Sequence, residues 1–333
     1  PVLPLTVLMA GSCGVKEPHV GEALDHFGSH RVLGRRMLGG LADQPGEGDQ
    51  RRGRDDEFSD LADVGRVVED DRDRGKGKRA PQDPPGHRAS LPAVLRAVLF
   101  DWGGTLMQDE WSDEIALEGH SAGLAALARE GLPTAEAFTR YLADNDAELF
   151  PGGEDEIDIA DVMRRSFAAQ GVDLQDDDLR LFIRAAHDVW ASHYSLAASS
   201  HALLEALRAR GLRLALVSNT ASPEWLLLPV LERQGLVERV DAVVLSSEVG
   251  KRKPHPAIFE RALDEVGVEP NEAVFVGDRL DADIVGASRA GMTTVQALWF
   301  RADDLRVNVE PDFQAFTQMD VLNVVDRLFA ASA

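Results

Sequence analysis

The sequence predicts an α/β protein built on a doubly wound parallel sheet, with a wholly helical segment inserted after the first strand. Three observations carry this. Four short apolar runs, at residues 97–100, 214–217, 242–245 and 273–276, are continuous rather than alternating, as strands covered on both faces must be. Helical patterns separate the later runs, the signature of crossover connections between parallel strands. The hundred or so residues between the first and second runs carry helical periodicity alone.

Residues 1–92 fall outside this scheme. Between Pro45 and Gly86 the chain is dominated by Gly, Pro, Asp and Arg, too polar to offset the entropy of ordering it. It is expected to be disordered, either as a flexible extension or as a translated stretch of upstream non-coding sequence. The run Val2–Ala10 before Cys13 faintly resembles a lipoprotein signal, but it lacks a charged leader. The core then opens with residues 93–106, is interrupted by a helical insert at 107–198, and resumes over 199–333. In the insert, Leu117, Leu124 and Leu127 share one helix face, and Leu179, Phe182, Ala186, Val189 and Trp190 share another. These stripes, with Trp111, Phe138 and Phe150, are read mainly as bundle core. Beyond the second strand, helices are expected at 222–234, after Pro256, and at 281–290. Residues 293–297 and 313–316 read as further strands, and 320–329 as a closing helix.

Charge narrows the partners. The 333 residues hold 35 basic and 57 acidic side chains, a net charge of −22, which argues against a nucleic-acid binder. Residues 107–200 alone hold six Arg and no Lys against twenty Asp and Glu, a surface that repels polyanions. Arg164 and Arg165 are its one basic pair, read as a solvated helix face. No apolar run reaches membrane-spanning length, and the single cysteine, Cys13, excludes disulfides within the chain and cysteine metal clusters. A cytoplasmic protein without membrane contact is expected.

The strand ends carry the chemistry. The first run leads into Asp101-Trp102-Gly103-Gly104-Thr105, the second into Ser218-Asn219, and the fourth into Gly277-Asp278, with Asp281 and Asp283 close behind. Past the third lie Lys251 and Lys253, the only lysines after residue 78. Carboxyl ends of strands in a doubly wound sheet share one edge, where ligands bind. Asp101 and Asp278 offer hard oxygens suited to Mg²⁺, and a carboxylate held between that cation and Lys253 stays ionised and able to attack phosphorus. Ser218, Asn219 and Lys253 are placed to donate to phosphoryl oxygens.

These residues resemble the four ordered motifs of the haloacid dehalogenase superfamily, over about residues 94–298, with 277–292 the most specific part. The insert resembles the helical cap of the subclass whose cap follows the first motif. The resemblance implies a Rossmann-like core and a phosphatase of small phosphorylated metabolites. It implies Asp101 as nucleophile, and Asp101, the Gly103 carbonyl and Asp278 as Mg²⁺ ligands, supported by Asp283. Ser218 and Lys253 would bind the phosphoryl group.

One position departs. The family's phosphatases place a second Asp, the general acid and base, two residues after the nucleophile, where this chain has Gly103. A missing acid costs about 10²–10⁴ in rate. Three readings follow: a good leaving group, a substitute donor among Asp109, Glu110 and His120, or a weakened module that binds Mg²⁺ and phosphate in a regulatory role. His255, beside Lys253, is read as a helix-entry residue.

Overall fold

The computed structural model describes residues 94–300 and 309–332. The expectations for residues 1–92, including Cys13, lie outside them. In chain order the elements are β1 (Ala97–Phe100), β2 (Met107–Asp109), α1 (Asp113–Leu127), α2 (Ala135–Asp144), α3 (Asp146–Leu149), α4 (Ile159–Ala169) and α5 (Asp176–Ala191). There follow β3 (Tyr194–Leu196), α6 (Ser200–Ala209), β4 (Arg213–Ser218), α7 (Glu224–Arg233), β5 (Ala242–Leu245), α8 (Ser246–Val249) and α9 (Pro256–Val266). The chain closes with β6 (Ala273–Gly277), a π-helical turn Leu280–Ile284, α10 (Val285–Ala290), β7 (Thr293–Ala297), β8 (Phe313–Ala315) and α11 (Asp320–Ser332).

Six strands form one parallel sheet in the order β5-β4-β1-β6-β7-β8. Both faces are covered, which explains the unbroken apolar runs. Val98, Phe100, Leu214, Leu216, Val274 and Val276 point to one side, with Leu203, Leu207 and Val325. Ala97, Leu99, Ala215, Val217 and Phe275 point to the other, with Ile258, Phe259 and Ala287. The chain leaves β1 toward β4 and returns past it to β6, so β1 sits at the switch point where a crevice opens. Register puts Phe100 opposite both Leu216 and Val276, so Asp101, Val217 and Gly277 stand at one level.

The insert has its own core. Phe138, Phe167 and Phe182 pack ring against ring, with Met163, Leu179 and Ile183 around them. Three of its helices, α1, α2 and α4, start on side-chain caps: Ser112 accepts from Ile115 N, Thr134 from Ala137 N, and Asp158 from Ala160 N. The buried face of α1 differs from the leucine stripe expected. It runs through Ala116, Gly119, His120, Gly123, Leu124 and Leu127, while Leu117 is only half-buried. Gly119 and Gly123 let α5 come close: a Cβ at 119 would lie 2.0 Å from Trp190 Nε1, and one at 123 would lie 2.6 Å from Phe182 Cδ2. Trp111, Phe138, Phe150 and Trp190 all join this cluster. β2 and β3 pair antiparallel where the insert leaves and re-enters the core, with Met107 opposite Leu196. Strands of three residues show no period, and the sequence did not predict this pair. Among the described residues no helix is long and apolar enough to cross a membrane.

His120 belongs to this aromatic core. Its ring stacks on Phe182 and meets Phe138 and Trp190 edge-on, and its Nδ1 lies 2.8 Å from Thr139 Oγ1. That enclosure removes it as the substitute proton donor. Burial lowers its pKa to about 4. His187 is also lowered to about 4, by burial against the opposing pull of Asp188.

Two outcomes are expected. Gly119→Ala drives a methyl into the Trp190 indole, so chemical denaturation should show a loss of about 1–3 kcal/mol; an unchanged midpoint would contradict the α1–α5 contact. The two histidines should make the fold acid-labile. Their rings are neutral when folded, whereas the unfolded chain takes up protons below about 6.5. Stability is then full above that pH and lost as pH falls toward 4, by on the order of 3 kcal/mol per ring. Denaturant titrations between pH 7.5 and 4.5 measure it, and His187→Phe should flatten the slope.

Candidate active site

Lys253 is the hub. Its ammonium is buried, 2.6 Å from Asp101 Oδ1 and 2.7 Å from Asp283 Oδ1, and it donates to the Val217 carbonyl at 2.9 Å. Burial alone would favour the neutral amine, but Asp101 and Asp283 outweigh it and hold its pKa above the ordinary lysine value. Asp101 feels the reverse. Burial pushes its carboxyl up to about 6, Lys253 pulls it down, and Asp283 pushes it up again.

Each residue is held by the backbone that delivers it. Asp101 leaves β1 with its N–H on the Val276 carbonyl at 2.9 Å. Asp283 comes from the π-helical turn and accepts from Arg279 N at 2.9 Å through Oδ2. It also presses on Gly277, where a Cβ would lie 2.4 Å from its carboxyl carbon. Gly104, with φ of +80°, lets the turn after β1 approach Asp278; a Cβ there would lie 2.7 Å from Asp278 Oδ2. Asp281 is turned toward Arg279, which grips it through Nε at 3.0 Å and Nη2 at 2.5 Å.

Asn219 has a different task from the phosphoryl donor expected of its side chain. Its Nδ2 donates to the Lys253 carbonyl at 3.0 Å, and its Oδ1 accepts from Lys253 N at 2.7 Å. The amide thus clamps the backbone of the hub lysine. Ser218 ends β4, buried beside it. His255 caps α9, accepting from Ala257 N at 3.1 Å. Arg164 and Arg165 are exposed and paired with Asp161 and Asp176.

The donor set fits a hard dication. Oxygens of Asp101, Asp278 and Asp283 lie within 4.8 Å of one another, close to the ~4.2 Å that separates opposite ligands of octahedral Mg²⁺. Asp101 Oδ2 is buried and has no hydrogen bond among the described residues. Three buried carboxylates gather beside Lys253, with Arg279 at the edge, and such a concentration of negative charge away from water favours a bound cation. Both oxygens of Asp283 are engaged, Oδ1 by the Lys253 ammonium and Oδ2 by Arg279 N, so it supports the lysine.

At Gly103 there is space. A Cβ would meet only Met107 Cε, at 3.9 Å, and its φ is not positive, so an L side chain fits. Neither Glu110, which is exposed, nor His120 occupies that space.

Comparison with known proteins agrees with the geometry. Residues 95–291 match the family described as haloacid dehalogenase-like hydrolase. The glyceraldehyde 3-phosphate phosphatase of Methanopyrus kandleri is 33% identical over 242 residues, covering 71% of this chain and 99% of that protein. The phosphoglycolate phosphatase of Aquifex aeolicus is 30% identical over 234 residues, covering 70% and 98%. Among solved structures, a HAD phosphatase from Thermococcus onnurineus has 25% identity and a TM-score of 0.48, over 69% of this chain and 98% of its own. Sheet order, strand-end carboxylates and the extent of the match lead to one conclusion: the chain belongs to the haloacid dehalogenase-like hydrolases.

Proposed function

We propose that this protein is a phosphatase of small phosphorylated metabolites that uses Mg²⁺ and forms an aspartyl-phosphate on Asp101. The observation that carries the reading is the buried Asp101–Lys253–Asp283 array beside Asp278. Two curated relatives covered almost end to end are phosphatases of three- and two-carbon phosphates. The acidic insert favours a substrate of modest charge.

Asp101 and Asp278 would hold Mg²⁺, which when bound neutralises the phosphoryl oxygens and the carboxylate facing them. Lys253 keeps Asp101 ionised and orients one oxygen, leaving Oδ2 to attack phosphorus. The new bond joins that oxygen to phosphorus as the bond from phosphorus to the leaving oxygen breaks. Ser218 and the Lys253 ammonium donate to the phosphoryl group as its charge shifts. Water then releases phosphate and restores the carboxylate. Gly103 has no proton to supply, so the leaving oxygen takes its proton from water or departs as a stable anion.

That same glycine favours a second reading, a Mg²⁺- and phosphate-binding module with little turnover, and the assay separates the two. Wild type should hydrolyse an aryl phosphate, stop on chelation and recover with added Mg²⁺. Asp101→Asn should lose at least about 10³-fold in kcat, and activity surviving that change would remove Asp101 as nucleophile. Gly103→Asp should raise kcat on alkyl phosphates by up to about 10²–10⁴ while changing aryl phosphate hydrolysis far less. A wild type that binds phosphate without turnover would establish the second reading.

A further inference from the structure

One carboxylate of the insert reaches under the catalytic turns. Residues 154–156 lie against 250–252 as a short antiparallel rung: Arg252 N donates to the Glu154 carbonyl at 2.8 Å, and Glu156 N to the Gly250 carbonyl at 3.1 Å. The rung carries the Glu156 side chain inward, to 2% exposure. There Ser246 Oγ donates to Glu156 Oε2, and the same hydroxyl accepts from Thr220 N at 2.7 Å. Arg252, the residue before Lys253, approaches Glu156 Oε1 at 3.4 Å. Glu156 therefore reaches the Ser218–Thr220 turn through Ser246, and the residue next to Lys253 through Arg252.

A simple fastener between insert and core would not need this arrangement. The neighbouring Lys251–Asp155 pair, with Asp155 largely exposed, already does that work at little desolvation cost. Burying Glu156 costs far more and is offset by the Ser246 hydroxyl, the Arg252 guanidinium and Ile157 N, which donates to Oε1 at 3.0 Å. The first two are wired to the backbone of Thr220, two residues past Ser218, and of Lys253 itself.

We propose that Glu156 is a positioning residue: through Ser246 and Arg252 it sets the spacing between the Ser218–Thr220 turn and Lys253, so the phosphoryl-binding geometry is completed by the helical insert. The inference rests on the phosphatase reading of the same site. The strap also walls a cavity of about 440 Å³ with Ala221, Ile183 and Trp225.

The test compares wild type, Glu156→Gln, Ser246→Ala, the double variant and Lys251→Ala on an aryl phosphate with Mg²⁺. Each of the first two changes should lower kcat by roughly ten- to a hundredfold. The double variant should be no worse than the poorer single, because both cut one path. Lys251→Ala, which breaks only the outer pair, should leave kcat unchanged, and thermal midpoints should stay close to wild type. An unchanged kcat in Glu156→Gln, additive losses in the double variant, or an equal loss in Lys251→Ala would overturn the proposal. Should Glu156→Gln fail to fold, Ser246→Ala, which removes a single hydroxyl, decides by the same kcat criterion. A wild type without Mg²⁺-dependent hydrolysis would overturn the phosphatase reading instead. Calorimetric titration with inorganic phosphate then decides separately: weakened binding in Glu156→Gln supports the positioning role, and equal binding removes it.

Discussion

A lysine ammonium shared between two buried aspartates is the constraint on which the rest of this structure turns. Such a charge is tolerable away from water only while both carboxylates remain in place. Asp101 comes from the end of β1, Asp283 from the turn after β6, and Lys253 from the loop beyond β5. Their meeting requires the switch-point topology, the register of three neighbouring strands and the close approach of Asp283 to Gly277. The site and the fold thus share one set of conditions.

The electrostatics follow from that array. Burial works against ionised Asp101, and Lys253 answers it, which leaves one carboxylate oxygen committed and the other open. Gly103 changes the chemistry without disturbing this balance. It removes a proton donor but leaves backbone conformation and neighbouring space as an aspartate would need them. On the proposed mechanism the deficit falls on the leaving-group step rather than on the assembly of the site.

Much of this was legible in the sequence because strand ends report directly on a parallel sheet. Continuous apolar runs locate the strands, and the polar residue after each run locates the crevice, hence Asp101, Ser218 and Asp278. Lys253 stood out because it and Lys251 are the only lysines after residue 78. What escaped has physical reasons. Glu156 sits in an acidic stretch where nothing distinguishes it from solvated neighbours, and its partners lie about 90 residues away. The clamp formed by the Asn219 amide depends on an approach to Lys253 that no local pattern encodes. His120 looked available because it lies near the first motif in sequence, whereas two glycines of its own helix draw it into the aromatic core.

The small β2–β3 pair has a consequence for assembly. Pairing β1 with β4 brings together residues separated by more than a hundred positions, with Phe100 beside Leu216. Such a long excursion is entropically costly to close. With Met107 fixed opposite Leu196, the helical insert becomes a closed detour, and the free chain left to order between β1 and β4 falls to a few tens of residues. By chain statistics that lowers the cost of the remaining β1–β4 closure by about 1 kcal/mol, the closing of the detour itself being offset by the insert's own core. Three residues on each side thus let a long insertion sit within the sheet's central crossover without a matching loss of cooperativity.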